Sequence, residues 1–470
     1  MAEEAAQGAD QESVEEVEED VFEEVEDPQD LSWTDALRRS KLPLIVWIAF
    51  TTTFFACAFG GTSFLLYTVA GYAWILCIAF SVMIIPANVD KISFPMYLWL
   101  PWGIFVVLSG YMSEYNNMQR SALLMCPLVV GVAASTAKIN EEQLVNLGLL
   151  IRIFSGSLLL LGTFLTGLLL TGQLPSSTAL APQAITATLL ATLFVSGYSY
   201  GRVQDLFWWS ANAMLPVLAL TRMAIFVTGL SFPFTLSPLK LQTRVILTVT
   251  VALLGLALFY SSRVQEKMFM KGEGTLKDIG DEKNLATSGR RYMAEVLLLE
   301  IANKPWLGHG ANASEELILK LSSGQLTHPH NDWLRFLYEY GIVGTALFLL
   351  SMILQVRHLL KKARHSEGEI RAFFSASASS FLPFALIMFT DNIVLYAAFY
   401  GNLQFTIIGL AYAAEKRGRL EKVSYDDDEF YEPPLRRTTR SIAYREEDAP
   451  PPTVSAEAPP ETEPDEGGDR

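Results

Sequence analysis

The chain has little of what soluble catalytic domains are usually built from. Its 470 residues include five histidines and three cysteines. Cys57, Cys77 and Cys126 each fall inside an apolar run and have no metal-type spacing, so they read as buried, inert thiols. Lysine and arginine are absent from the first 30 residues, which are packed with Glu and Asp. That N-terminus lacks the basic-then-apolar pattern of a cleavable signal peptide, so the first apolar run is expected to do the membrane targeting. No nucleotide-binding motif and no internal repeat is visible.

Apolar residues are abundant instead. They make up 51% of the chain, which at this length fits a polytopic membrane protein better than one soluble domain. The net charge of -15 sits mostly at the two ends. Residues 1–40 and 415–470 read as disordered, solvated acidic tails, because neither holds enough apolar surface to offset its ordering entropy. Between them, runs long enough to cross a bilayer are expected near 43–59, 64–85, 94–110, 122–137, 147–172, 184–200, 206–220, 223–234, 245–260, 333–354, 373–388 and 394–413. The fold class is therefore all-α, with about twelve transmembrane helices. Nine fall in 41–260 and three in 333–414, with a helical extracytoplasmic loop at 261–332.

Short-loop charges set the orientation. Arg38, Arg39 and Lys41 precede the first span, and Lys91, Lys138, Arg202, Lys240 and Arg244 fall in alternate loops on the same side. Arg357, Lys361, Lys362 and Arg364 follow the tenth span, and Lys416, Arg417 and Arg419 the last. Both termini are thus expected in the cytoplasm and the long loop outside. Arg120 is the main exception.

Within that loop, 264–285 is polar and reads as irregular. Ser288 is placed to cap a helix from Gly289 to about Asn303, which Lys304-Pro305 ends. Gly308 and Gly310 make a turn, and a short helix from Ala313 to Leu321 has Asn312 and Glu315 spaced as a capping box.

Few polar side chains are placed for chemistry. Arg222 lies between apolar neighbours, where a guanidinium needs a polar cavity, a partner or a headgroup to reach. Arg290 and Arg291 open the loop helix. Arg291 can pair with Glu295 at i,i+4, which leaves Arg290 for an anion such as phosphate. His330 is the best general base, since imidazole titrates near neutrality. A structural histidine that fixes the turn is the alternative. His328 and His330 also form a His-x-His pair, but no third metal ligand has recognisable spacing. His358 and His365 read as solvated surface. Asn331 and Asp332 are placed to cap the next helix, and Arg335 can pair with Glu339. Gly341 and Gly344 allow close helix packing. Asp391 falls between the last two spans, on the same side as Arg222 and His330, and reads either as a loop residue or as the orienting partner of an arginine or histidine.

One ordered set of motifs resembles the O-antigen ligase and polymerase superfamily. It comprises Ser288-Gly289-Arg290, then Lys304-Pro305-Trp306-Leu307-Gly308-His309-Gly310, then His330-Asn331-Asp332-Trp333-Leu334 and Glu339-Tyr340-Gly341-Ile342-Val343-Gly344. Thr221-Arg222-Met223-Ala224 is similar to the family's Ser-Arg-Gly-Ala element, with Thr and Met as departures. By motif the resemblance covers roughly 206–354. It implies a metal-independent glycosyltransferase of the bacterial inner membrane, without cofactor. The donor would be a glycan on undecaprenyl diphosphate and the acceptor a sugar hydroxyl, on lipid A–core for a ligase or on a second lipid-linked repeat unit for a polymerase. Mapped onto this chain, Arg222 and Arg290 would hold the diphosphate and His330 would take the acceptor proton. Asp391, Asn331 and His328 would support them. A lipid-linked donor also fits the missing nucleotide motif, and nothing points to nucleic acid.

Two other classes compete. A transporter or flippase would more often show inverted repeats and ionisable residues near the bilayer midplane, whereas here the polar residues gather at one face. A non-catalytic assembly subunit would use the acidic tails.

Overall fold

A computed structural model describes residues 42–60, 71–115, 117–174, 177–235, 238–278, 284, 289–322 and 328–429, with backbone alone for 177–178 and 421–429. Residues 1–40 and 430–470 of the acidic tails, Arg38, Arg39, Lys41, Ser288 and the start of the expected second span lie outside the described residues, while 415–429, expected to be disordered, continue the last helix. The chain divides into two units, 1–422 and 423–470, and the apolar core lies within the first.

Among the described residues there is no strand. The helices are α1 (Leu44–Phe59), α2 (Trp74–Ile84), α3 (Leu100–Met112), α4 (Met118–Ala134), α5 (Glu141–Leu170), α6 (Ala181–Ser199), α7 (Gln204–Leu218) and α8 (Arg222–Thr235). Then come α9 (Leu241–Phe259), α10 (Ser262–Met268), α11 (Arg290–Ile301), α12 (Ala313–Leu321), α13 (Asp332–Arg364), α14 (Gly368–Ser379), α15 (Phe381–Ile387) and α16 (Asn402–Glu429). Among the described residues four stretches are long and apolar enough to cross a membrane: α5, α9, α13 and Gly368–Ile387. The other expected spans, so far as they are described, fall on helices that are shorter, interrupted or, like α6, less apolar. The expectation of an irregular 264–285 is corrected in part, because α10 occupies its start.

The centre is α6. From Pro182 to Ser199 every residue except Tyr198 is buried. Two of its polar side chains turn back on the helix itself, as Thr188 and Thr192 donate to the carbonyls of Ile185 and Thr188. Around it runs one large apolar core. In that core Trp102 of α3 stacks on Phe336 of α13 at 5.5 Å and meets Tyr340 and Phe348 edge-on, both at 5.3 Å. This packing fixes the N-terminal part of α13, where the expected site begins.

Between α15 and α16 the chain leaves the α-helix for a 3-10 turn (Ile393–Leu395) and a π-helical turn (Ala397–Gly401). Irregular backbone away from water needs other partners. Thr53 of α1 and Thr186 of α6 supply them, donating to the carbonyls of Ala398 (3.1 Å) and Phe399 (2.7 Å). The Tyr400 hydroxyl donates to the Ser380 carbonyl. The core thus holds a non-helical segment in place, and Asp391 stands at its start.

Just beyond the far end of α13, Arg152 of α5 donates through Nε and Nη2 to Asp205 Oδ1, at 3.1 and 2.8 Å. Arg202 approaches the other oxygen of Asp205 at 3.0 Å and Glu369 at 2.9 Å. These pairs tie α5, α7 and α14 together. His358, expected on the solvated surface, is instead half-buried, with Nδ1 2.7 Å from the Tyr412 hydroxyl.

Candidate active site

His330 sits at the tip of the return into α13. Its backbone is left-handed, with φ 50°. Asn331 follows as the N-cap, its side chain accepting the Leu334 N–H at 3.0 Å, which satisfies one of the orphan donors of the first turn. The N–H of Asp332 donates to the Met388 carbonyl at 2.8 Å, and the Trp333 indole donates to the Ala385 carbonyl at 3.1 Å. These bonds bring the start of α13 against the end of α15, and so bring His330 to Asp391.

His330 Nδ1 lies 3.4 Å from Asp391 Oδ1. The same oxygen accepts the Asn392 N–H at 2.9 Å and the Tyr396 hydroxyl at 3.0 Å. An ionised carboxylate only accepts, so this contact puts an imidazole proton on Nδ1, and in the neutral ring Nε2 then keeps its lone pair. Burial pushes the Asp391 carboxyl up. The His330 and Asn392 hydrogen bonds, with the charges of His330 and Arg290, outweigh it and hold the group below the usual carboxylate range. His330 is the more exposed partner, 37% against 18% for Asp391.

The cations come from three other elements. Gly289 opens α11 in a left-handed conformation, and Arg290 Nη1 donates to the Thr390 carbonyl at 2.9 Å, beside Asp391. Arg222 is the first residue of α8, reached through Leu220 at φ 50°. Lys267 of α10 joins them. Its ammonium is held below the usual lysine range, first by burial and then by the positive charges of Arg222 and Arg290. Three cations from α8, α10 and α11 therefore share one region. Lys267 is not evident from sequence because it lies in a polar stretch where a lysine has no distinguishing spacing. Tyr396 is not evident either, and its position five residues after Asp391 is the available signal.

Behind the pair lies a closed ionic network. Arg335 bonds Asp332 at 2.9 Å and Glu339 at 3.2 Å, and Glu339 accepts the Ser314 hydroxyl of α12 at 2.6 Å. Asp332 was expected to cap α13. Its second oxygen instead accepts the Val394 N–H at 2.8 Å, so it pins the irregular segment to the helix. The capping box at Asn312 and Glu315 does not form. Asn312 is left-handed with no side-chain cap, and both side chains turn to Arg120, which explains why that arginine stands where basic residues are scarce. Arg291 pairs with Glu295 at 2.8 Å, as its spacing predicted. His328 is 3.9 Å from Glu315, and burial, followed by the charges of Arg120, Arg335 and His330, lowers its pKa to about 4. It is neutral at ordinary pH. Among the described residues no three His, Cys, Asp or Glu side chains gather as a metal site requires.

The two glycine motifs meet here. The helix α13 breaks at Gly341 (φ 64°), which frees backbone groups on either side. Ile342 and Val343 donate to the carbonyls of Pro305 and Trp306, at 2.8 and 3.1 Å. His309 and Gly310 donate to those of Tyr338 and Glu339, at 2.9 and 2.8 Å. A Cβ on Gly308 would come within 2.5 Å of the Glu339 backbone, and one on Gly341 within 2.4 Å of the Trp306 backbone. Only glycine allows this approach.

Residues 206–349 match the family described as O-antigen ligase. No curated protein matches the chain. The matched segment runs from α7 into the apolar part of α13 and contains Arg222, Lys267, Arg290, His328, Asn331 and His330, while Asp391 and Tyr396 lie beyond it. That segment, with its ordered motifs and the membrane-type helices around it, is therefore similar to the O-antigen ligase family of membrane glycan-processing enzymes.

Proposed function

We propose that the protein transfers a glycan from an undecaprenyl diphosphate carrier to a sugar hydroxyl, as an O-antigen ligase with lipid A–core as acceptor. The observation that carries the reading is the His330–Asp391 pair set beside the Arg290 guanidinium. In this reading Nε2 of His330 takes the proton from the acceptor hydroxyl as its oxygen attacks the anomeric carbon. The bond from that carbon to the diphosphate oxygen breaks, and the diphosphate leaves with the electron pair. Arg222, Arg290 and Lys267 stabilise the charge that develops on it. A diphosphate is already a good leaving group, so positioning and charge stabilisation supply most of the acceleration. Asp391 holds the imidazole tautomer, the Tyr396 hydroxyl holds Asp391, and Asn331 fixes the helix start from which His330 projects. The reaction takes place at the outer face of the bacterial inner membrane, with both termini in the cytoplasm. A polymerase of the same family would use the same groups on a second lipid-linked repeat unit.

The test is deletion of the gene in its host, with surface glycans read by gel and mass spectrometry and complementation by wild type or His330→Ala. Loss of all glycan from lipid A–core with accumulation of long lipid-linked chains supports the ligase. Single repeat units still reaching the acceptor, or loss of a secreted polysaccharide, identifies the polymerase. Unchanged glycans in a strain without a second copy overturn the transferase reading.

A further inference from the structure

The Pro305–Gly310 turn is tied to α13 at one height. Its four backbone bonds fall on Tyr338 to Val343, around the break at Gly341. Above the break α13 carries the buried Asp332–Arg335–Glu339 network. Below it the helix becomes apolar, and an exposed stripe begins with Ile342 (44%) and Val343 (37%) and continues through Leu349 and Leu350. On a helix that qualifies as a membrane span, that stripe faces lipid. The turn continues it sideways, because Trp306 is 65% exposed and Leu307 48% exposed, although both sit against the kink.

A large exposed apolar pair on a loop is costly in water, because its apolar surface stays hydrated. Tryptophan at the level where a span begins suits the headgroup boundary, where an amphipathic ring meets both phases. The neighbouring Lys304 points to the wet side of that boundary, 2.9 Å from Glu114.

We propose that the Trp306–Leu307 turn is a membrane anchor, seated at the boundary between lipid headgroups and acyl chains, continuous with the lipid-facing stripe of α13. Because the turn is bonded to α13, the anchor sets the height of the site over the bilayer. From Gly341 back to Asp332 the helix rises about 13 Å. His330, at that end of the helix, is then held on the water side of the boundary. The seat itself follows from the backbone bonds and the apolar stripe and does not depend on the transfer reaction.

Spin-label depth measurement tests it. The three native cysteines are buried, so a nitroxide goes selectively onto Trp306→Cys, Leu307→Cys, Leu350→Cys or Lys277→Cys in the full-length protein. Each variant is reconstituted in phosphatidylethanolamine–phosphatidylglycerol vesicles, and collisions with oxygen and with a nickel chelate are compared. The expected result is an oxygen-to-nickel accessibility ratio at 306 and 307 several-fold above that at the loop residue 277 and close to that at 350. Nickel accessibility at 306 and 307 equal to that at 277 places the turn in water and overturns the proposal. Labels there that neither reagent reaches show a protein surface over the turn and overturn it as well. Position 307 decides if 306 does not tolerate a label.

Discussion

Two charge clusters, one before the start of α13 and over its first turns and one just beyond its end, treat their side chains in opposite ways. Beyond the C-terminal end Arg152, Arg202, Asp205 and Glu369 pair sign for sign. At the N-terminal end the Asp332–Arg335–Glu339 network is equally closed, but in front of it Arg290 stands beside one carboxylate–imidazole pair, and its charge adds to those of Arg222 and Lys267. The balanced end repays the desolvation of its charges within the protein, and so acts as a clamp on three helices. The cation-rich end, on the proposed reading, is left for an anion brought from outside to balance. Unequal charge balance, more than the number of charged residues, separates a candidate site from a structural knot.

Substitutions sharpen that comparison. The largest effect is expected at His330→Ala, which should lower transfer about 10²–10⁴-fold while the protein still purifies as a folded species, measured with lipid-linked donor in vesicles. At the opposite end Asp205→Ala leaves two arginines without their shared carboxylate. It should cost about 3–5 kcal/mol of stability, read as a lower unfolding temperature, with the turnover of the surviving folded fraction unchanged. A large drop in turnover per folded molecule would erase the distinction between the two ends. Asp391→Asn should lower transfer about 10–100-fold, with the loss mainly in kcat, because it disturbs the tautomer and not the binding of donor. Tyr396→Phe removes one hydrogen bond to that carboxylate and should cost up to about tenfold.

The smallest effect concerns pH. In the fold His328 stays neutral down to about pH 4, whereas the unfolded chain takes up its proton near 6.5. The unfolded state therefore binds more protons between those values, and the folded state loses stability as the pH falls from about 6.5 to about 4. His328→Gln should flatten that part of the stability profile in thermal unfolding and leave transfer at pH 7.5 nearly intact. An equal loss of transfer in His328→Gln and His330→Ala would make both histidines part of the chemistry.

Legibility in the sequence tracks the range of each interaction. Arg335–Glu339, Arg291–Glu295, the Asn331 cap and the extent of α12 are all encoded within four residues, where spacing is enough. The approach of His330 to Asp391 spans 61 residues, and Asp332 reaches Val394 across 62. Such pairs depend on how α13, α15 and the irregular turn pack, and no local pattern announces that. Apolar content carried a similar ambiguity. Both α6 and α9 are mainly apolar, but α6 is almost wholly enclosed, whereas α9 buries none of its residues. In lipid, an apolar face is equally at home against hydrocarbon and against another helix, so composition locates a span without saying which side of it is inside.

The four backbone bonds between 305–310 and 338–343 also constrain how this sequence can drift. Residues 311–337 link the two segments as a bridge whose length does not enter the pairing. A one-residue insertion inside either segment, by contrast, would shift all its partners at once. In a set of related sequences, length changes should then collect in the bridge, and positions 308 and 341 should be kept or lost together, because each glycine makes room for the other's stretch of backbone.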